Sequence, residues 1–220
     1  MKKLFLVLLL ISLPLYIFLK GIEINVFNKN FYLKSYEKYN VEDVSEKTLK
    51  ELGSITDDLF MYLKCKGDKE LLKPYFNTRE IKHMEDVKIL FKRGYILKYI
   101  SFLLSILIIL ISIKNKVWKM AKGVFYGIFI WWGLIFLLLS LVLIDFNKYF
   151  TYFHTIFFRN DLWILDPNTD LLIQMLPEEF FIAIFIRILL LFFLVLAIIQ
   201  ISCYTIMKKE EDNSGWINEN

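Results

Sequence analysis

Two residues of the 220-residue chain can take and release a proton near neutrality, His83 and His154, and no other histidine is present. His83 lies in Arg79-Glu80-Ile81-Lys82-His83-Met84-Glu85-Asp86-Val87. On a helix His83 and Asp86 are three residues apart and share a face. A carboxylate there orients the imidazole and raises its basicity. His154 lies in Tyr152-Phe153-His154-Thr155-Ile156-Phe157-Phe158. Two imidazoles at one place could serve as general base and general acid, or one could form an acyl-imidazole. A metal site from His83, Asp86 and His154 requires all three to converge. The plainer alternative for each histidine, taken singly, is a polar tip at an interface. Motifs of other chemistries are missing from the sequence: G-x-S-x-G, Walker A, G-x-G-x-x-G and H-E-x-x-H.

Around the second histidine the chain is dense in unusual residues. It reads Arg159-Asn160-Asp161-Leu162-Trp163-Ile164-Leu165-Asp166-Pro167-Asn168-Thr169-Asp170 and then Met175-Leu176-Pro177-Glu178-Glu179. Asp161, Trp163, Asp166 and Asp170 are candidates to support or orient the histidines, together with Asp86. Asp166-Pro167-Asn168-Thr169 is also ordinary turn chemistry. Pro177-Glu178-Glu179 suits the start of a helix. Phe153, Phe157, Phe158 and Trp163 read as an interfacial aromatic belt rather than a cofactor box.

The elements that must hold these residues are set by hydropathy. The chain is 57% hydrophobic and 17% aromatic, with a mean hydropathy of +0.49. A soluble domain is about 45–50% apolar, so disorder, collagen and a disulfide-stapled scaffold are excluded. The net charge is +4, but the basic residues form no aromatic-interleaved stripe and do not suggest nucleic acid. They flank apolar runs, as at a membrane surface. A crossing helix needs about 20 mostly apolar residues. The runs predict four helices: 1–22, 95–113, 124–144 and 180–207. The first follows Lys2 and Lys3 without a small-x-small cleavage site, so it reads as an uncleaved anchor.

Charge then orients the helices. Lys2, Lys3, Lys114, Lys116, Lys119, Lys122, Lys208 and Lys209 fall on one side, against Lys148 and Arg159 in the opposite short segment. The positive-inside rule places both termini, the 114–123 loop and the 208–220 tail in the cytoplasm. The 23–94 and 145–179 segments then form an extracytoplasmic cap, mostly helical. Glu23-Ile24-Asn25-Val26 alternates weakly, as a short strand would. Ser45 is the expected N-cap of an amphipathic helix carrying Leu49, Leu52, Ile55, Leu59, Tyr62 and Leu63. Pro74 breaks the chain before a further helical stretch from Arg79. The tail from Glu210 is polar and reads as disordered. Cys65 and Cys203 fall on opposite sides of the membrane and cannot pair. Arg187 is the clear cation inside an apolar run, hence a candidate for contact with substrate lipid, with snorkelling as the alternative. The nearly uniform apolar helices argue against a solute path.

Glu80-x-x-His83-Met84-x-Asp86-Val87, then Phe153-His154-x-x-Phe157-Phe158, then Trp163-x-x-Asp166-Pro167-x-x-Asp170-x-Leu172-Ile173-x-x-Leu176-Pro177 resembles the lipoprotein intramolecular transacylase family. These are small four-helix membrane proteins of Gram-positive bacteria, sited in the cell membrane. The resemblance implies transfer of the sn-2 acyl chain of a lipoprotein's diacylglyceryl-cysteine to the cysteine α-amino group, giving the lyso-form. It implies His83 and His154 as the catalytic pair, a diacylated lipoprotein and membrane lipid as partners, and neither cofactor nor metal. The alternative from another class is a non-catalytic membrane module that binds a partner protein through its cap.

Overall fold

The computed structural model describes residues 2–113 and 117–218; Lys114 and Lys116 of the basic loop lie outside them. Within the described residues every regular element is helical. In order, α1 is Lys2–Val26, α2 Lys29–Lys38, α3 Val41–Ser45 and α4 Leu49–Leu63. A 3-10 turn follows at Lys69–Leu71. Then come α5 Thr78–Ile113, α6 Val117–Ile144, α7 Phe146–Phe157, α8 Leu171–Met175 and α9 Glu178–Asn218. Four helices, α1, α5, α6 and α9, are long and apolar enough to cross a membrane.

Three local expectations are corrected. Glu23–Val26 is the last turn of α1 and not a strand. Four alternating residues are too few to outweigh the helix that enters them, and Asn28 starts the next helix by accepting from Phe31 N. Ser45 closes α3, where its hydroxyl donates to Val41 O at 2.6 Å. The N-cap of α4 is Thr48, which forms a reciprocal capping box with Glu51. Glu46, left-handed at φ 53°, separates the two helices. The polar tail does not break the last helix, whose backbone continues to Asn218.

The chain divides into two compact units. One holds the residues up to Ile22, Ile96–Ser140 and those from Ile188 onward. Its core is aliphatic and aromatic, centred on Leu9, Ile108, Ile128, Phe192 and Leu196. Its few polar groups satisfy one another. The Trp131 indole N–H donates to Leu10 O at 2.9 Å, and that of Trp132 to Gln200 Oε1 at 2.8 Å. The Ser105 hydroxyl lies 2.9 Å from that of Ser12. Gly127 admits the Leu10 side chain where a Cβ would stand 2.4 Å from it, the close approach that small residues allow in apolar surroundings.

The other unit holds Glu23–Tyr95 and Leu141–Arg187. In α4 the apolar stripe buries Leu52, Ile55, Leu59, Tyr62 and Leu63, as its helical spacing predicts. Tyr36 is fully buried against it. The Thr56 hydroxyl donates to Leu52 O at 2.7 Å, so at 2.8 Å it accepts from the Tyr36 hydroxyl. Both histidines and every other candidate site residue fall in this unit.

Candidate active site

His83 sits five residues into α5. That helix starts where it does because Asn77 caps it: Asn77 Oδ1 accepts from Arg79 N and Glu80 N, at 2.8 and 3.1 Å. Glu80 Oε2 returns the favour by accepting from Asn77 N at 2.7 Å. The other Glu80 oxygen accepts from Leu172 N at 2.7 Å, in the first turn of α8. One carboxylate, 1% exposed, therefore caps two helices. Burial pushes its pKa up, and Asp170 adds to that, against the two amide bonds that pull it down. Asp170 is itself buried. It accepts from Asn77 Nδ2 and Asp166 N, both at 2.8 Å.

This lattice holds the loop after α7 against the start of α5. Arg79 Nη2 donates to the Asp161 carbonyl at 2.7 Å, and Asn160 Nδ2 donates to Asp86 Oδ2 at 2.9 Å. Asp166 turns the chain, accepting from Asn168 N and Nδ2 at 2.9 and 3.0 Å. Asp161 thus serves through its carbonyl, and Asp166 and Asp170 hold the loop.

The two imidazoles meet within this frame, their ring centroids 6.0 Å apart and their planes 37° to each other. Both are buried, 8% and 7% exposed. Aromatic rings enclose them. Trp163 stacks on His154 at 4.7 Å and 27°, Phe150 lies 4.2 Å away, and Phe158 stands 5.3 Å from His83 and 5.5 Å from His154. Phe150 and Phe158 are one helical turn either side of His154, which brings their rings to it.

Hydrogen bonding distinguishes the pair. His154 Nδ1–H donates to Phe150 O at 2.7 Å, so in the neutral ring Nε2 carries the lone pair. His83 Nδ1 is buried with no partner. Asp86 Oδ2 accepts from Asn160 Nδ2, and its charge acts on His83. His83 lies in the charged first turns of α5, before the apolar run from Ile96. Burial pushes its pKa down to about 4; His154 lowers it further and Asp86 acts the other way. Burial also lowers His154, opposed by its bond to Phe150. Burial thus favours the neutral form of both rings and holds them below the ordinary 6.5.

Arg187 belongs to a separate constellation. Its Nε donates to Asn25 Oδ1 at 3.3 Å and its guanidinium lies 4.7 Å over the Phe31 ring. Cys65 is exposed and Cys203 buried, each a free thiol. Among the described residues no three His, Cys, Asp or Glu side chains converge as metal ligands would. Sequence reasoning gave no role to Asn77, Glu80, Asn160, Phe150 or Asn25. The signal for the first two was present: Asn followed three residues later by Glu is a capping pattern.

The model of the family described as "Lipoprotein intramolecular transacylase Lit" matches residues 7–181. Among solved structures, the membrane-integral Lit of Bacillus cereus superposes with a TM-score of 0.80 at 27% identity, over 96% of this chain and 98% of that one. A variant of that protein with a histidine replaced by arginine gives 0.82 at 26% identity, over 97% and 95%. One with a histidine replaced by alanine gives 0.80 at 27%, over 96% of each. No curated protein sequence gives a significant match.

Proposed function

The chain belongs to the lipoprotein intramolecular transacylase family, and from that premise we propose that it moves the sn-2 acyl chain of a diacylglyceryl-cysteine to the α-amino group of the same cysteine. The observation that carries this reading is the pair of buried imidazoles 6.0 Å apart in an aromatic enclosure. The product is an N-acyl, S-monoacylglyceryl lipoprotein. Ester gives way to amide, which is downhill, so no energy source is required.

The two rings suit different steps. An α-amine has a pKa of about 7.7–8.0, and imidazoles held below 6.5 are weak bases toward its ammonium form. The amine therefore enters neutral. Its nitrogen attacks the ester carbonyl, forming the C–N bond. His154 Nε2, its lone pair fixed by the bond at Nδ1, takes the proton the nitrogen sheds. The C–O bond to glycerol then breaks, and His154 returns that proton to the departing oxygen. His83, with its bare Nδ1 buried, offers Nε2–H to the carbonyl oxygen as charge builds there. Asp86, Asp161, Trp163, Asp166 and Asp170 keep the rings in place. Arg187 meets a carbonyl or hydroxyl of the substrate lipid. Both termini and the basic loop lie in the cytoplasm and the histidines outside, at the membrane surface where a lipid-anchored substrate presents its glyceryl ester.

The test is to express the protein in a bacterium that makes only diacylated lipoproteins. The transfer leaves total mass unchanged, so tandem mass spectrometry must show an N-acylated cysteine fragment. Diacylglyceryl N-termini that stay unaltered despite good expression would instead favour the partner-binding membrane module. Reporter fusions at Lys116 and Asp145 test the orientation, with the first expected inside and the second outside.

A further inference from the structure

Helix α7 carries His154 on one edge and leaves a broad apolar face uncovered. We propose that this face is seated in the outer-leaflet lipid, so that α7 lies along the membrane surface rather than standing in water. Around the helix Tyr149, Phe150, Tyr152, Phe153, Ile156 and Phe157 fall within an arc of about 160°, at 3.6 residues per turn. Asn147, Lys148, Thr151 and Thr155 occupy the opposite arc, with His154 at the border. Tyr152, Phe153, Ile156 and Phe157 are 43–73% exposed. Four large apolar side chains on one helical face are more than scattered surface residues.

The choice of lipid as occupant rests on continuity. α6, one of the helices able to cross a membrane, ends at Ile144, and α7 begins at Phe146. Leu143 and Ile144 are 67% and 77% exposed, so uncovered apolar surface runs through the end of α6, past the single residue Asp145, and onto α7. A helix with aromatic and aliphatic residues on one arc and Lys, Asn and Thr on the other has the pattern of a helix lying in the interface plane. Such a helix presents three sectors: apolar to lipid, polar to water, and a third edge to protein. Phe150 and His154 occupy that third edge, against Phe181 and Trp163. The imidazole would then sit at the depth of lipid ester groups. The seating concerns where α7 lies and stands independently of the reaction.

Spin labels test it without reference to activity. In a Cys65→Ser, Cys203→Ala background, single substitutions Tyr152→Cys, Ile156→Cys, Lys148→Cys and Thr151→Cys are labelled with a nitroxide. The full chain is reconstituted in nanodiscs of phosphatidylcholine and phosphatidylglycerol. Labels at 152 and 156 should be relaxed several-fold more by oxygen, which partitions into lipid, than by a water-soluble nickel chelate. Labels at 148 and 151 should show the reverse. Equal access of the nickel chelate to 156 and 148 would overturn the proposal. So would dipolar broadening at 156 with protection from both reagents, which would mean a second copy covers the face.

Discussion

The two units of this protein bury polar groups of different kinds. The unit containing most of the apolar runs buries Ser12, Ser101, Ser105 and Lys98. There the Ser105 hydroxyl turns back to its own helix, donating to Ser101 O at 2.7 Å. The other unit buries Glu80, His83, His154 and Asp170. There the polar atoms tie distant stretches of chain together: Asn77 to Asp170, Glu80 to Leu172. A hydroxyl that bonds its own helix can be removed at small cost. A buried carboxylate that holds two segments cannot, because the buried Leu172 amide it leaves has no water to turn to. A cluster of buried carboxylates and imidazoles in the second unit marks where the fold has been shaped for chemistry.

The largest effect that could break this contrast is on activity. His83→Ala and His154→Ala should each lower N-acyl product by roughly 10²–10⁴-fold, and the double variant should be little worse than either, because residues acting as a unit are not additive. Near-normal conversion by either single variant, measured by tandem mass spectrometry, would dissolve the pair. Glu80→Ala comes next. It strips the acceptor from the buried Leu172 amide at about 1–3 kcal/mol and from the part-buried Asn77 amide, so thermal unfolding in detergent should shift down clearly. Glu80→Gln, which keeps an acceptor and the shape, should shift it less.

The pH dependence sharpens the comparison further. Both imidazoles are depressed below 6.5, so they remain neutral as pH falls through 7. The fall in kcat/KM on the acid side should therefore follow the substrate amine, near 7.7–8.0, at tenfold per pH unit. A profile flat down to 6.5 would contradict neutral histidines acting on an already neutral amine. Stability has the opposite window. Between 6.5 and about 4 the unfolded chain binds a proton that folded His83 does not, so the fold weakens as pH drops across that range and is unpenalised above it.

Asp86→Asn should cost less than roughly tenfold in rate, since Asp86 acts on His83 only through its charge and through Asn160. The smallest effect belongs to the apolar unit. Ser105→Ala removes a hydroxyl paired with Ser12, and interhelical bonds of this type average about 0.6 kcal/mol. A loss as large as that of Glu80→Ala would erase the distinction between the units.

The four long helices were legible because hydropathy acts locally. The α4 stripe and the break before α5 were legible for the same reason. What escaped was set by partners far along the chain. Nothing near Glu80 announces that its second oxygen will cap a helix 92 residues later. Nor does anything near Asp86 announce its bond from Asn160, 74 residues on. The ordinary imidazole pKa could not survive burial under Phe150, Phe158 and Trp163, rings whose enclosure depends on the folded loop. Ser45 was mistaken for a cap because the left-handed Glu46 that ends its helix carries no sequence signal as strong as glycine.

The shared carboxylate of Glu80 has a consequence for motion. Asn77 N and Leu172 N have one acceptor residue between them, so neither helix start can fray without disturbing the same side chain. Openings that expose one amide to exchange with solvent deuterium would be coupled to openings of the other, and the two ends would breathe as a single cooperative unit. The short α8, five residues long, has little helical persistence of its own. Its survival time is therefore borrowed from α5, and the loop that stacks Trp163 on His154 stays closed for as long as that loan lasts.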